Sequence, residues 1–174
     1  NKALQTKEGK ENNLKQNIFF EKFINNQYLP KKGKANQIYY IPTVVHVIHN
    51  YGPENIPDAN IYNMITNTNI ELRKDNPDSS LIQFPFNLIH PDLEVELVLA
   101  KLDPNGNCTK GITRTVSNET YVGDAVTKAL IDWPSNKYLN IWLVEVANGA
   151  GGYSQLPQFT SAALDGIVLR RAQL

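Results

Sequence analysis

The chain has 174 residues, of which 41% are hydrophobic and 20% are charged, and its 17 basic and 17 acidic side chains give a net charge of zero. These values are typical of one globular domain with a sizeable core. They exclude the strong overall charge that favours binding to nucleic acid or to an acidic membrane surface. No apolar run approaches the roughly 20 residues that a membrane-spanning helix needs. The single cysteine, Cys108, excludes an internal disulfide. We interpret it as a buried or incidental thiol, or as one whose partner lies in a longer form of the protein.

Residues 1–36 are polar and rich in Lys, Asn and Gln, which predicts a loosely ordered N-terminal extension. Within it, a single docking helix is predicted from four apolar side chains that share one helical stripe: Phe19, Phe20, Phe23 and Ile24. The piece at 29–34 reads Leu-Pro-Lys-Lys-Gly-Lys and predicts an exposed basic linker. The alternative interpretation is a pro-segment whose linker is cleaved at Lys31, Lys32 or Lys34.

The next stretch predicts a strand and a helix. Residues 41–49 are β-branched and apolar, with Pro42 only near the start, which is typical of a strand buried on both faces. Pro57 and Asp58 suit the N-terminus of a helix, because proline fixes φ and aspartate complements the helix dipole. A helix is predicted over 57–74, since one apolar face is formed by Ile61, Ile65, Thr68 and Leu72.

Shorter elements are predicted in the middle of the chain. Residues 93–102 begin with alternating apolar and polar side chains and predict a strand. The sequence Asp-Pro-Asn-Gly-Asn at 103–107 predicts a hairpin-type turn, since it lacks the spacing and the terminal Glu of a calcium loop. Residues 111–115 are predicted to be extended, and residues 124–131 to form a short helix.

Three strands are predicted near the end of the chain. Residues 138–146 form a long apolar run, 153–156 form a short edge piece between a glycine-rich turn and Pro157, and 166–171 form a second apolar run. A helix between the first two strands of the chain favours parallel pairing with a right-handed connection. The fold class is therefore α/β with a mostly parallel, twisted sheet.

The sequence contains no self-contained catalytic constellation. His46 and His49 are three residues apart, so on a strand they point to opposite faces and do not share a metal ion. We interpret them as core or rim residues with a satisfied ring nitrogen. The residues around His90 match no functional motif. A His-Glu-x-x-His motif, a nucleophile elbow, a P-loop and a dinucleotide fingerprint are all missing from the 174 residues.

Several segments together resemble one family of enzymes. In order and spacing they are similar to the pappalysin-like (cytophagalysin-type) branch of the metzincin zinc metallopeptidases, and the most specific is Trp-Pro-Ser-Asn-Lys-Tyr-Leu-Asn-Ile-Trp at 133–142. The others lie at 41–49, 55–58 with the following helix, 94–106, 109–114, 152–157 and 165–169. The resemblance covers about residues 38–171. It implies that residues 37–174 are the upper subdomain of a catalytic domain, with an antiparallel edge strand and a backing helix, and that residues 1–36 are a pro-segment.

The resemblance also implies what the chain lacks. The family pattern continues past the last strand into a helix with His-Glu-x-x-His-x-x-Gly-x-x-His, which holds zinc and supplies the general base for the attacking water. The single methionine, Met64, lies on the predicted helix and is not the family's methionine turn. The intact parent is thus expected to be a secreted zymogen of a zinc endopeptidase. The chain alone is expected to bind no catalytic zinc, to be inactive, and to require the C-terminal part of the same catalytic domain.

The edge strand is the predicted functional site. A short strand with free amides and carbonyls is a template for strand addition, and in metzincins the corresponding strand pairs antiparallel with the substrate. The predicted substrate-binding residues are Gly151, Gly152, Tyr153, Ser154, Gln155 and Leu156. The predicted partner is a peptide or protein substrate, with no role for nucleic acid or membrane. Arg170 and Arg171 are a further predicted cleavage point.

Two alternatives remain open from the sequence. The chain is a non-catalytic peptide- or protein-binding domain that uses the same edge, or it is one piece of a nicked enzyme whose zinc helix lies on a second fragment.

Overall fold

The computed structural model describes residues 14, 18, 37–84, 86–88, 90–155 and 164–174. The chain divides into two compact units, Asn1–Gln37 and Ile38–Leu174. In the first unit, Leu14 and Ile18 have helical backbone and exposed side chains. The predicted helical stripe of residues 19–24 lies outside the described residues.

The second unit is built on one sheet. Its strands are β1 (Tyr39–His49), β2 (Val95–Leu99), β3 (Ile112–Val116), β4 (Leu139–Val144), β5 (Gly152–Gln155) and β6 (Gly166–Arg170). The strand order is β2-β1-β4-β6-β5, and β3 pairs with β1 beyond β2 on the same side. All pairs are parallel except β5 with β6. The predicted α/β class with a mostly parallel sheet and an antiparallel edge strand is confirmed.

The helices accompany the sheet. They are α1 (Asp58–Leu72) and α2 (Ala125–Ala129), with 3₁₀ turns at Pro77–Leu81, Phe86–Leu88, Asn118–Tyr121 and Arg171–Gln173. The two helices and six strands found within the described residues lie where the sequence predicts them, with ends shifted by at most three residues. The predicted strand at 93–102 begins only at Val95, because Glu94 has a positive φ of 53°, and it ends at Leu99. None of the helices within the described ranges is long and apolar enough to cross a membrane.

The core lies on both faces of the sheet. On the side of α1 the buried cluster is Val45, Val47, Ile56, Ile61, Ile141 and Leu143. On the other side the connection before β4 adds Trp133, and the buried clusters are Val44, Ala100 and Trp133, and Ile48, Trp142, Val144, Ala147 and Val168. Alternate residues of β1 and β4 thus enter different clusters, which explains their continuous apolar runs.

The turn predicted at 103–107 is confirmed. The carboxylate of Asp103 accepts the backbone N–H groups of Asn105 and Asn107, and Leu102 and Cys108 form an antiparallel bridge. Cys108 lies on this exposed hairpin, so of the predicted alternatives only the buried thiol is wrong. The turn chemistry, rather than the core, fixes the place of Cys108.

Candidate functional site: an open sheet edge

The strand β5 forms one edge of the sheet and leaves backbone groups unpaired. The N–H of Arg170 donates to the carbonyl of Gly151 at 2.9 Å. Hydrogen-bonded pairs alternate along an antiparallel ladder, so the backbone N–H and C=O groups of Tyr153 also point towards β6. The backbone N–H and C=O groups of Gly152 and Ser154 therefore point away from β6. Within the described part of the chain, no strand pairs with that outer side of β5.

A tight turn and one glycine set the position of β5. Asn148 and Gly149 both have positive φ, of 48° and 77°, which is the two-residue turn that suits a hairpin. This confirms the predicted glycine-rich turn. A Cβ atom added to Gly152 would lie 2.8 Å from the carbonyl oxygen of Val168, so a larger residue would push β5 away from β6.

The two faces of β5 differ. Gly152 and Ser154 lie opposite Leu169 and Ile167, which are half-buried on the α1 side of the sheet. That face of the edge therefore carries only a hydrogen atom and a small hydroxyl side chain. On the other face, Tyr153 packs against the cluster around Trp142.

A buried lysine lies beneath this second face. The Nζ of Lys128 donates to the carbonyl of Leu164 at 2.7 Å and to Oε1 of Gln155 at 3.3 Å. It also lies 5.0 Å from the ring centroid of Tyr153 and 5.2 Å from that of Trp142. Burial lowers the pKa of Lys128, and the charge of Asp165 opposes that shift. Sequence reasoning missed Lys128, although it is a lone cation among the apolar residues of a short helix.

The remaining predicted site residues are placed as follows. Gly151 directly precedes β5, and Leu156, Lys31, Lys32 and Lys34 lie outside the described residues. Arg170 ends β6, and its Nε donates to the carbonyl of Glu145 at 3.1 Å. Arg171 forms an ion pair with the carboxylate of Glu145, which raises the pKa of the guanidinium. Cleavage at these basic residues stays a prediction.

The described residues do not fit a zinc site. They include no group of three or more His, Cys, Asp or Glu side chains that could hold a metal ion. The Nδ1 of His49 accepts the N–H of Tyr51 at 3.3 Å, and both ring nitrogens of His46 are hydrogen-bonded. The prediction that these two histidines have satisfied ring nitrogens is confirmed.

His46 links three strands through a fixed set of hydrogen bonds. The amide of Asn140 accepts from the N–H of Trp133 and donates to its carbonyl, so its Oδ1 is an acceptor. The Nε2 of His46 therefore donates to that Oδ1 at 2.9 Å, and its Nδ1 accepts from the hydroxyl of Thr113 at 2.7 Å. Burial lowers the pKa of His46 to about 4, which keeps the ring neutral at pH 7.

The opposite edge of the sheet is covered by a side chain. Asn69 of α1 donates through Nδ2 to the carbonyl of Leu97 at 2.9 Å, and its Oδ1 accepts the N–H of Leu97 at 2.8 Å. The amide thus takes the place of a neighbouring strand at the centre of β2. Sequence reasoning missed this contact as well.

The fold is a metallopeptidase fold, because the chain matches solved structures of the metallopeptidase mirolysin. The chain is similar to a point mutant of promirolysin from Tannerella forsythia, with 27% identity and a TM-score of 0.81 over 97% of this chain and 56% of that chain. It is also similar to mature mirolysin of the same organism in complex with a cleaved peptide, with 32% identity and a TM-score of 0.69 over 77% of this chain and 53% of that chain. Mirolysin in complex with compound 9 gives 33% identity and a TM-score of 0.68, with the same coverage of 77% and 53%.

The chain spans about half the length of these solved structures. No protein-family profile and no curated protein matches it.

Proposed function

We propose that the chain is the N-terminal part of a secreted zinc-dependent endopeptidase of the pappalysin-like metzincin branch. Residues 37–174 supply the upper subdomain of the catalytic domain, and β5 aligns the peptide substrate. The zinc ligands and the general base are assigned to sequence outside the 174 residues, since these contain no His-Glu-x-x-His motif. The contribution of this chain to hydrolysis is therefore alignment of the substrate.

The open edge of β5 carries the proposal. The outward N–H and C=O groups of Gly152 and Ser154 lie two residues apart, which matches the bonding period of an added antiparallel strand. The small side chains of the same two residues leave room beside the bound backbone. The complex of mature mirolysin with a cleaved peptide supports a peptide as the occupant.

A pro-segment role is proposed for residues 1–36. The matched share of this chain is 77% with mature mirolysin and 97% with promirolysin. The additional fifth of the chain equals the share that these residues make up, which supports their correspondence to the part that the mature form lacks. The basic residues Lys31, Lys32 and Lys34 are the proposed maturation site.

Peptide addition to β5 is tested by amide hydrogen exchange of the 174-residue chain with and without dephosphorylated β-casein, an unstructured protein. We expect bound casein to slow exchange at the outward amides of Gly152 and Ser154. Exchange at Leu97, whose N–H is already bonded to Asn69, should not change. Binding that leaves Gly152 and Ser154 unprotected would contradict the proposal.

The enzymatic part is tested separately. We expect the 174-residue chain with added zinc to leave casein intact, because the proposed zinc ligands are not in it. Cleavage that a chelator abolishes would overturn the assignment of the catalytic residues to other sequence. A parent gene without an in-frame extended zinc motif would instead make the same edge part of a non-catalytic binding domain.

A further inference from the structure

Lys128 is a buried cation to which the proposed function assigns no role. Its side chain has no solvent exposure, and lysine is almost never fully buried unless its ammonium group is paired. The cost of removing that cation from water is offset only where acceptors are held in place for it. The acceptors of Lys128 therefore indicate what the residue is for.

Those acceptors flank the connection between the two edge strands. Gln155 is the last residue of β5, and Leu164 lies two residues before β6. The rings of Tyr153 and Trp142 bring β5 and β4 to the same ammonium group. The ammonium group of Lys128 thus contacts β4 and β5 and donates a hydrogen bond to the residue two positions before β6.

The base of the lysine is itself fixed. Asp124 caps α2 by accepting the N–H of Val126 at 2.8 Å, and the hydroxyl of Thr127 donates to the carbonyl of Glu119 at 3.1 Å. Helix α2 is therefore anchored independently of β5. Lys128 therefore connects β5 to a helix whose own position is fixed by other contacts.

We propose that Lys128 is the positioning residue of the peptide-binding edge, holding β5 in the register on β6 that points the backbone groups of Gly152 and Ser154 outward. This inference rests on the proposed peptide-binding role of β5. A strand of four residues at a sheet edge opens locally at low cost, and an edge that is already ordered binds a peptide without that ordering penalty. Lys128 supplies the order from beneath, where it does not obstruct the peptide.

The test is Lys128→Met in the 174-residue chain, which keeps the apolar stem and removes the ammonium group. We expect the amides of Tyr153 and Gln155 to exchange at least about tenfold faster, and the dissociation constant for dephosphorylated β-casein to rise about tenfold. Amides of β1 and β4 should keep their exchange rates. The exposed Lys137 provides the matched control, and Lys137→Met should change neither quantity.

The outcomes separate the inference from the proposed function. If the Lys128→Met variant binds casein as tightly as the unsubstituted 174-residue chain does, the inference is overturned and the proposed function stands. If the parent chain itself does not bind casein at Gly152 and Ser154, the proposed function fails and the inference falls with it. If the substitution also loosens β1 and β4, Gln155→Ala decides. It removes one acceptor and leaves Lys128 in place, and unchanged exchange at Tyr153 with unchanged casein affinity would overturn the inference.

Discussion

The two edges of the sheet are treated in opposite ways. At β2 the outward N–H and C=O of Leu97 are bonded by the side chain of Asn69, so the centre of the strand offers nothing to a further chain. At β5 the corresponding groups of Gly152 and Ser154 have no strand beside them within the described residues. Unpaired edges are a liability that proteins usually cover. Within the described residues, the sheet thus covers one edge with a dedicated amide and leaves the other open, and the proposed strand addition needs such an open edge.

The polar residues that stabilise each edge also differ in position. Asn69 lies beside its strand and occupies the place of a neighbouring strand, whereas Lys128 lies beneath its strand and does not occupy that place. Asn69 orders β2 and blocks the addition of a further strand, whereas Lys128 orders β5 without blocking such an addition. The comparison is testable, because the two edges should respond to different perturbations.

Acid should produce the largest effect, and it should act on the half of the sheet near the covered edge. His46 bonds Thr113 of β3 and Asn140 of β4 as a neutral ring, and its pKa is about 4 against a usual value of 6.5. The unfolded chain therefore takes up this proton at higher pH than the folded one. The stability that the neutral His46 contributes is fully present above pH 6.5 and is lost as the pH falls to 4. At 1.36 kcal/mol per pH unit, the free energy of unfolding should fall by about 3 kcal/mol, measured by urea unfolding at pH 7 and pH 4.

A neutral variant provides the control for that measurement. His46→Gln keeps one donor and one acceptor but does not titrate, so it should lower stability at pH 7 and flatten the decline between pH 6.5 and pH 5. This window lies above the range in which carboxylates such as Glu54, whose pKa is lowered by the backbone N–H of Asn50, begin to contribute. An unchanged slope in His46→Gln would assign the acid sensitivity to another group.

The covered edge should depend on Asn69. In Asn69→Leu a side chain of similar size replaces the amide, and the buried N–H and C=O of Leu97 lose their partner. The expected loss is about 2 kcal/mol in the free energy of unfolding, since an unsatisfied buried polar group costs about 1–3 kcal/mol. Asn67→Leu, at an exposed position of the same helix, is the matched control and should change stability by less than about 0.5 kcal/mol. Equal losses in the two variants would mean that Asn69 does not close the edge.

The open edge should fail in binding rather than in stability. Ser154→Pro removes an N–H that points away from β6, so the ladder between the two strands is retained and one bond to an added peptide is lost. We expect the affinity for dephosphorylated β-casein to fall about tenfold, which corresponds to about 1.4 kcal/mol. Ser154→Ala keeps the N–H and should bind as the parent chain does. A loss of affinity in both variants would assign recognition to the hydroxyl group.

The sequence predicts the elements whose signal is local. The runs of β1 and β4 are apolar because both faces of each strand are buried, and the spacing of Ile61 and Ile65 marks the buried face of α1. The short edge β5 follows from the glycines before it. In contrast, the partner of Asn69 lies 28 residues away and the acceptors of Lys128 lie 27 and 36 residues away, and no period or spacing links them. Their roles depend on which strands become neighbours, and only the folded sheet determines that.

The smallest expected effect concerns the ion pairs beside β2. The Nε of Arg73 donates to Asp92 at 2.9 Å and its Nη1 to Glu96 at 2.7 Å, and this contact lowers the pKa of Asp92. Because these groups are partly solvated, Arg73→Met should cost less stability than Asn69→Leu. The difference from the parent chain should shrink further between 0.1 M and 1 M NaCl, where the Debye length falls from about 10 Å to about 3 Å. Urea unfolding at both salt concentrations measures this. A loss that exceeds that of Asn69→Leu and persists in high salt would mean that charge, rather than the amide of Asn69, closes the edge.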